Sequence, residues 1–106
     1  MLLLEEIQIK IDRNEYEFSI HALNQSLSRR IHVFELCEAV ENGELIENYP
    51  NDKYGPSCLL LGFTKIGRAL HIQCSYPLRP LVKIITLYEP NPVLWDNLRV
   101  RKVVNE

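Results

Sequence analysis

The spacing of the apolar residues changes near Gly43, and no other feature of the sequence restricts the fold as strongly. Before Gly43 the apolar residues recur every three or four positions, which is the period of a helix. After it they fall into runs of six to nine residues separated by Pro, Gly and Asn, which is typical of strands and turns. We therefore predict one α+β domain over residues 1–106. Its parts are a helical half (1–43), an antiparallel sheet (44–89) and a C-terminal turn with a basic tail (90–106).

The first segment of the helical half can be interpreted in two ways. Leu3 or Leu4, Ile7 and Ile11 recur at helical spacing, with Lys10 and two glutamates on the opposite face. The last five residues of this segment also alternate between apolar and polar, as a half-exposed strand does. The pattern favours a helix but leaves the strand open.

Two shorter helices are predicted after an extended segment at residues 16–18. Ser19 is a suitable N-cap for a helix that continues to about Leu27, with Leu23 and Leu27 facing the core. A third helix is expected over about residues 33–42, and its apolar positions recur at helical spacing.

The second half predicts a four-stranded antiparallel sheet on which the helices pack. Short segments that contain Pro or Gly separate the strands, and such segments favour turns between neighbouring antiparallel strands. The predicted strands are Glu44–Tyr49, Ser57–Thr64, Arg68–Tyr76 and Leu81–Tyr88.

The composition is that of an ordinary globular protein from a reducing compartment. Apolar residues make up 46% of the chain and charged residues 25%. No apolar run reaches the roughly 18 residues that span a bilayer, and no signal peptide is recognisable. Cys37, Cys58 and Cys74 are odd in number and lie in apolar runs, which indicates free thiols rather than disulfides or a zinc site. We expect a cytoplasmic protein with no membrane contact, metal or cofactor.

The charges are divided unevenly along the chain. Residues 1–52 carry eleven acidic and four basic side chains, whereas residues 53–106 carry three acidic and eight basic ones. Two solvated faces of opposite sign would explain this division. A basic face that binds a polyanion would also explain it, but the net charge of −2 argues against binding by charge alone.

The predicted third strand carries a polar face that points to a functional site. In this strand Leu70, Ile72 and Cys74 share one face, and His71, Gln73 and Ser75 share the other. We expect the helices to cover the apolar face and leave the His71 face open.

The turns predict the neighbours of His71 on this open face. If residues 77–80 close a regular hairpin, His71 lies opposite Thr86, and Tyr88 lies opposite Ala69 on the same face. If residues 66–67 form a two-residue turn, Gly62 lies on the other side of His71 and leaves a gap beside the imidazole. His71, Thr86 and Tyr88 would then line a small polar pocket.

This pocket suits metal-independent cleavage of RNA. That reaction needs a base for the 2′-hydroxyl proton, an acid for the leaving 5′-oxygen and a cation beside the phosphorane. A histidine titrates near neutral pH and can take either proton-transfer role. The alternative is that His71 is a solvated or hydrogen-bonded strand residue without a catalytic role, since Thr and Tyr are common in strands.

The helical half and the loops offer further candidates. His21 and Arg29 are candidate catalytic residues, because an arginine between two helices could reach a phosphate; Arg29 could equally cap the carbonyl groups that end the preceding helix. The basic face suggests RNA contacts from four more residues: Arg30, Arg68, Arg79 and Lys83.

An ordered series of motifs resembles the family catalogued as domain of unknown function 4258. The series begins with Ser19-x-His21-Ala22 and Arg29-x-Ile31, and it covers nearly the whole chain. It continues with Ala39-x-x-x-Gly43-x-x-Ile46-Glu47-x-Tyr49-Pro50-x-Asp52, Leu70-His71-Ile72, Ile84-Ile85-Thr86-Leu87-Tyr88-Glu89-Pro90 and Trp95. The sequence departs from the family pattern at Gln25, where many relatives carry Arg, and at His32, which replaces the usual Ser.

The resemblance implies a RelE-like, microbial-ribonuclease-like fold of the kind found in RelE and BrnT toxins. It also implies a cognate antitoxin protein, in many cases one with a zinc finger. The motif positions that it carries over are His21, Arg29, His71, Thr86 and Tyr88.

Two functions are compatible with these observations. The first is an endoribonuclease toxin in which His71 transfers protons, Thr86 and Tyr88 assist, and Arg29 with His21 stabilises charge. The second is a non-catalytic binding module of the same fold that holds a protein partner or RNA on its basic face or its edge strand.

Overall fold

The structure, a computed structural model, describes residues 1–103 and forms an α+β domain. Within these residues no helix is both long enough and apolar enough to cross a bilayer. The helices are α1 (Leu3–Asp12), α2 (Ile20–Ser28) and α3 (Val33–Glu41). The strands are β1 (Tyr16–Phe18), β2 (Glu44–Tyr49), β3 (Ser57–Phe63), β4 (Ala69–Ser75), β5 (Val82–Tyr88), β6 (Trp95–Asp96) and β7 (Val100–Arg101).

The first segment is a helix, as its apolar spacing favours. In α1 the side chains of Ile7 and Ile11 are buried in the core, four residues apart on one face. Glu5 and Glu6 lie in the first turn and Lys10 in the last, which is the favourable arrangement for the helix dipole.

The predicted N-cap of α2 is confirmed, but the predicted inward face is wrong. The Ala22 amide donates a hydrogen bond of 3.0 Å to the Ser19 hydroxyl oxygen. Leu23 and Leu27 are exposed, because α2 turns Ala22 and Gln25 toward the sheet. The Gln25 side chain accepts a hydrogen bond of 2.8 Å from the Leu87 amide. A polar contact to the sheet therefore replaces the leucine contact that the spacing predicts.

The sheet has five strands where four were predicted, and it is mixed where a purely antiparallel sheet was predicted. Strands β2 to β5 are antiparallel neighbours, and β1 adds to the edge of β5 in parallel, so that the order is β1-β5-β4-β3-β2. The segment of residues 16–18 was predicted to be extended but not to join the sheet. Three residues are too few to show the alternation that would place them in a sheet.

The predicted pairing of β3 with β4 is wrong by one residue. His71 lies opposite Leu61, and Gly62 lies opposite Leu70. The turn has three residues between Thr64 and Arg68 and ends with Gly67 at a φ of 85°, the common three-residue hairpin loop with a left-handed glycine.

Gly62 faces the helices and not the imidazole. A Cβ atom at this position would lie 1.9 Å from the carbonyl oxygen of Ala39 in α3. The glycine therefore allows α3 to approach β3 closely, and the predicted gap beside His71 does not exist.

The predicted pairing of β4 with β5 is also wrong. His71 lies opposite Tyr88, Gln73 opposite Thr86 and Cys74 opposite Ile84. The extra residue between Ile84 and Thr86 is a β-bulge, which turns the rest of the strand over. A second bulge lies in β2 between Leu45 and Glu47.

The sheet is covered on both faces. The three helices cover one face and bury a single apolar cluster, to which β3, β4 and β5 contribute Leu60, Ile72 and Ile84. On the opposite face β6 and β7 form a small antiparallel hairpin, which we call the C-terminal hairpin (residues 95–101). The basic tail expected over residues 90–106 thus includes this hairpin, and residues 104–106 lie outside the described part of the chain.

Candidate active site

His71 lies on the sheet face opposite the helices, but this face is not open as predicted. The side chain is fully buried, with a relative exposure of 0%. The C-terminal hairpin covers it: the Trp95 ring meets the imidazole edge-on, with 4.6 Å between the ring centroids and 88° between the planes. The expectation of an exposed imidazole is therefore corrected, because the sequence gives no sign that residues 95–101 fold back over the sheet.

Both ring nitrogens of His71 have hydrogen-bond partners. The Nε2 atom lies 2.6 Å from the carbonyl oxygen of Leu98, and the Nδ1 atom lies 3.1 Å from the Tyr88 hydroxyl. A carbonyl oxygen can only accept, so Nε2 carries a proton and donates it. In the neutral ring, Nδ1 then accepts from the Tyr88 hydroxyl.

Burial keeps this imidazole neutral. Desolvation lowers the pKa of His71 below its ordinary value, and this outweighs the opposing effects of the Leu98 carbonyl and of the Glu47 carboxylate. Desolvation also raises the pKa of Tyr88. At neutral pH the pair is therefore an uncharged imidazole with an uncharged phenol, in which Nδ1 can accept a proton.

The hairpin turn above His71 is strained. Asn97 and Leu98 have φ angles of 50° and 60°, and the Arg99 amide donates to the Asp96 carbonyl to close the turn. Asn tolerates the left-handed region, but a leucine there is uncommon and costs on the order of 1 kcal/mol or more. The strained residue is the one whose carbonyl binds His71.

Ion pairs fasten the hairpin to β2. Arg99 binds Glu44 with an Nε–Oε1 distance of 2.6 Å, and the Nε atom of Arg101 lies 3.2 Å from both carboxylate oxygens of Glu47. The Arg101 guanidinium also lies 4.7 Å from the centre of the Trp95 ring.

A carboxylate, a guanidinium and a second phenol therefore stand beside the His71–Tyr88 pair. The Tyr49 hydroxyl donates to Glu47, and burial, followed by this contact, raises the pKa of Tyr49 to about 12. Tyr49, Gln73 and Arg101 line a cleft of about 540 Å³ beside the hairpin. This cleft is the open part of the site.

The two bulges produce this grouping. Without the bulge in β2, Glu47 and Tyr49 would share a face with Leu45, which packs on the helix-side core. Without the bulge in β5, Thr86 and Tyr88 would share a face with the buried Ile84. Each bulge turns its polar side chains to the face of His71.

Thr86 lies near the site without touching His71. Its hydroxyl donates to the Gln73 side-chain oxygen at 3.1 Å, and the Gln73 amide donates to the Ser57 hydroxyl at 3.2 Å. These three residues form a hydrogen-bonded row across β3, β4 and β5.

The remaining predicted catalytic residues lie outside the group around His71. His21 and Arg29 belong to the exposed surface of α2 and its C-terminal end, in the helix layer. The structure brings His71 and Tyr88 together, with Thr86 on the same face, but it does not bring His21 or Arg29 to them.

The four predicted RNA-contact residues are scattered. The Arg68 guanidinium binds Glu35 and Glu89 and the carbonyls of Arg29 and Arg30, so it is engaged within the chain. Lys83 pairs loosely with Glu17 at 3.8 Å, whereas Arg30 and Arg79 are exposed.

Sequence reasoning missed Glu47, Tyr49, Trp95 and Arg101 as site residues. The sequence does contain features that involve these residues: Glu47 and Tyr49 are polar residues of a predicted strand, Trp95 is the single tryptophan, and Arg101 belongs to the basic tail. The bulge and the folded-back hairpin, which place them together, leave no such feature in the sequence.

The cysteines lie apart from this site. Cys58 and Cys74 are buried on the helix side with 3.9 Å between their sulfur atoms, and Cys37 is partly buried; all three are free. Within residues 1–103, no three His, Cys, Asp or Glu side chains are grouped so as to hold a metal ion.

Comparison with known proteins gives one match. A family model described as "Domain of unknown function (DUF4258)" matches residues 18–89, which is more than half of the chain. The matched segment includes His71, Tyr88 and Glu47 but ends before the C-terminal hairpin. No curated protein and no solved structure matches the chain.

Proposed function

The chain belongs to the family described as Domain of unknown function (DUF4258), and on that premise we propose that it is an endoribonuclease toxin of a type II toxin–antitoxin pair, with a RelE-like fold. The proposed reaction is cleavage of RNA by general acid–base catalysis with protein side chains alone. We also propose that the protein is cytoplasmic and that it binds a cognate antitoxin protein with a zinc finger.

One observation carries this proposal: two separate bulges turn polar side chains toward the same buried histidine. The resulting group contains an imidazole, a carboxylate, a guanidinium and two phenols, which are the groups that metal-independent RNA cleavage uses. Bulges are enriched next to active sites because they re-aim side chains.

We assign roles from the geometry. His71 accepts the 2′-hydroxyl proton at Nδ1 once Tyr88 rotates away, and Arg101 binds the phosphate oxygens. Glu47 holds Arg101 and Tyr49 in place, and Gln73 lines the cleft where the nucleotide would lie. Tyr88 then supplies a hydroxyl proton to the leaving 5′-oxygen.

Other predicted residues would act outside the reaction centre. Thr86 fixes Gln73 by its hydrogen bond. His21, Arg29, Arg30, Arg79 and Lys83 would contact more distant phosphates of a long RNA, and Arg68 would hold the loop that carries Arg29 and Arg30.

Substrate reaches His71 when the C-terminal hairpin moves. The imidazole is fully buried, but its cover is two short strands held by surface ion pairs and closed by a strained leucine turn. Such a segment opens at lower free energy than the helix-covered core. Opening breaks the bond from Nε2 to Leu98, exposes the ring and separates Arg101 from Glu47. The hairpin then closes again over the bound RNA, which returns Arg101 to the phosphate.

A specific observation favours the second function, a non-catalytic binding module. Both nitrogens of His71 are satisfied inside the protein, and Arg68 is fully engaged. In that case the polar group would rigidify the sheet, and the chain would act by binding a protein or RNA.

The test is RNA integrity and growth in cells that express the full chain, followed by cleavage assays with purified protein, with and without ribosomes. We compare wild type with His71→Gln, which keeps an amide donor for Leu98, and with Tyr88→Phe. General acid–base catalysis contributes about 10²- to 10⁴-fold, so His71→Gln should reduce cleavage by at least about 10²-fold while the circular dichroism spectrum is unchanged.

Leu78→Gln, an exposed residue of the β4–β5 loop, is the matched control and should cleave as wild type does. Intact RNA and normal growth with wild-type protein at high expression would support the binding module. Equal cleavage by His71→Gln would remove His71 from the mechanism.

A further inference from the structure

The outward face of α2 carries an apolar ridge that the described residues do not cover. Ile20, Leu23 and Leu27 are 81%, 48% and 70% exposed. Residues at these spacings lie on one side of a helix, and seven residues advance about 10 Å along its axis. The three side chains form what we call the α2 ridge, which is two turns long.

The segment of the chain that contains the α2 ridge has no acidic side chain. The first half of the chain is strongly acidic, yet no Asp or Glu occurs between Glu17 and Glu35. The exposed polar residues of the helix, His21, Asn24 and Ser28, include no acidic side chain. The helix ends at an exposed arginine pair, Arg29 and Arg30.

The arginine pair is held in position while its side chains stay available. Arg68 donates to the main-chain carbonyls of Arg29 and Arg30 at 2.9 Å each, which fixes the backbone at the end of the ridge. None of the ion pairs found within residues 1–103 uses the guanidinium groups of Arg29 or Arg30. A partner would therefore meet cations whose backbone is already ordered.

We propose that the α2 ridge, with Arg29 and Arg30, binds an acidic amphipathic helix of a second protein. The ridge has the length and spacing that a helical partner recognises with apolar residues at helical intervals. Carboxylates on the flanks of that helix complement the arginine pair. The contact lies on the outward face of α2, which contributes no residue to the cleft beside His71, and does not depend on RNA cleavage.

Two other occupants fit these observations less well. An RNA backbone would pair with the arginines, as proposed above for distant phosphates, but would gain nothing from three exposed aliphatic side chains. RNA and the helical partner would therefore compete for Arg29 and Arg30, and only the partner would cover the ridge. A second copy of this chain would place one acid-free segment against another and leave the arginine pairs without partners.

The test uses a designed helical peptide of about 18 residues, with leucines on one face and glutamates beside them, titrated against the full chain by fluorescence anisotropy. We expect saturable binding that weakens about tenfold or more in Leu23→Gln/Leu27→Gln and in Arg29→Gln/Arg30→Gln. Added salt should weaken binding to wild type more than to the arginine variant.

The altered residues are exposed, so these variants should fold normally, and Leu78→Gln serves as the control that binds as wild type does. A peptide of the same composition with its leucines scrambled around the helix should not bind. The proposal is overturned if the scrambled peptide binds equally, if the peptide shows no saturable binding at millimolar concentration, or if the ridge variants bind as wild type does. It is also overturned if wild type dimerises in sedimentation and Leu23→Gln/Leu27→Gln abolishes the dimer, which would assign the ridge to a second copy.

Discussion

The two faces of one sheet differ in what covers them and in how that cover is held. The helix side buries an apolar cluster whose buried members come mainly from the three helices and from three strands, β3, β4 and β5. The hairpin side buries a histidine, hydroxyls and an amide, and within the described residues every buried side-chain polar atom has a hydrogen-bond partner. The helix side supplies most of the stability of the domain through apolar burial, and this burial is lost only when the whole domain unfolds. The hairpin side is built from directional contacts that can open locally.

Neighbouring leucines on β3 allow the two faces to be compared directly. Leu60 and Leu61 are the same residue type on the same strand and are 0% and 1% exposed, but they face the helices and the hairpin side respectively. Leu60→Ala should lower the free energy of unfolding by about 2–5 kcal/mol. Leu61→Ala should cost about half as much, because the small hairpin can settle into the cavity more easily than three packed helices can.

Chemical denaturation of both variants provides the measurement, with equal slopes required for a valid comparison. If Leu61→Ala costs as much as Leu60→Ala, the hairpin is as firmly packed as the helices. The idea that it opens locally would then be wrong.

Gly62 tests how closely the helix cover fits. Gly62→Ala would place a Cβ atom 1.9 Å from the Ala39 carbonyl oxygen, and α3 must move to admit it. We expect a cost of about 1–3 kcal/mol, measured by denaturation. Gly55→Ala is the comparison at a glycine with no atom near its missing Cβ; because the φ of Gly55 is 110°, its cost reports backbone strain without a steric clash. A Gly62→Ala variant as stable as wild type would show that α3 is not tightly packed.

The hairpin side should give the protein a pH-dependent stability. Burial lowers the pKa of His71, so the unfolded chain binds a proton more readily than the folded protein does. The contribution of the neutral ring is present above its ordinary pKa of about 6.5 and is lost as the pH falls below that value. We expect wild type to lose more stability between pH 7.5 and pH 5.5 than His71→Gln, which does not titrate.

Denaturation at the two pH values measures this difference, and NMR titration of the ring checks its cause. Trp95→Ala, which removes part of the cover, should move the pKa of His71 back toward its ordinary value. An unchanged pKa in Trp95→Ala would show that the hairpin does not cause the desolvation.

The helix side was more accessible to prediction from the sequence than the hairpin side. Apolar periodicity favours α1 and predicts α3 and the positions of β2 to β5, because burial against one core imposes that periodicity. The Ser19 cap is predicted by its residue type. It fails at Leu23 and Leu27, where an apolar spacing lies on the surface of α2. Periodicity shows that a helix has an apolar face, but it does not show whether that face packs on the core of the same chain or lies on the surface.

The candidate site depends on features that the alternation of side chains along a strand cannot predict. His71 and Tyr88 were predicted to share a face, and they do, but through a register shifted by two residues and a bulge. The parallel strand β1 and the cover by Trp95 and Leu98 are long-range contacts between segments without a local pattern. These features lie outside the reach of propensity and spacing arguments.

The smallest expected effect concerns the ion pairs that fasten the hairpin. Arg99 and Glu44 are both partly exposed, and such pairs contribute about 0–1 kcal/mol. Arg99→Gln should therefore leave global unfolding almost unchanged while the amide protons of the hairpin exchange faster, because local opening needs less energy. Hydrogen exchange followed by NMR measures this, with Lys83→Gln, which loses a similarly exposed pair to Glu17, as the matched control. If Arg99→Gln changes exchange equally on both faces of the sheet, the hairpin unfolds with the domain and not by itself.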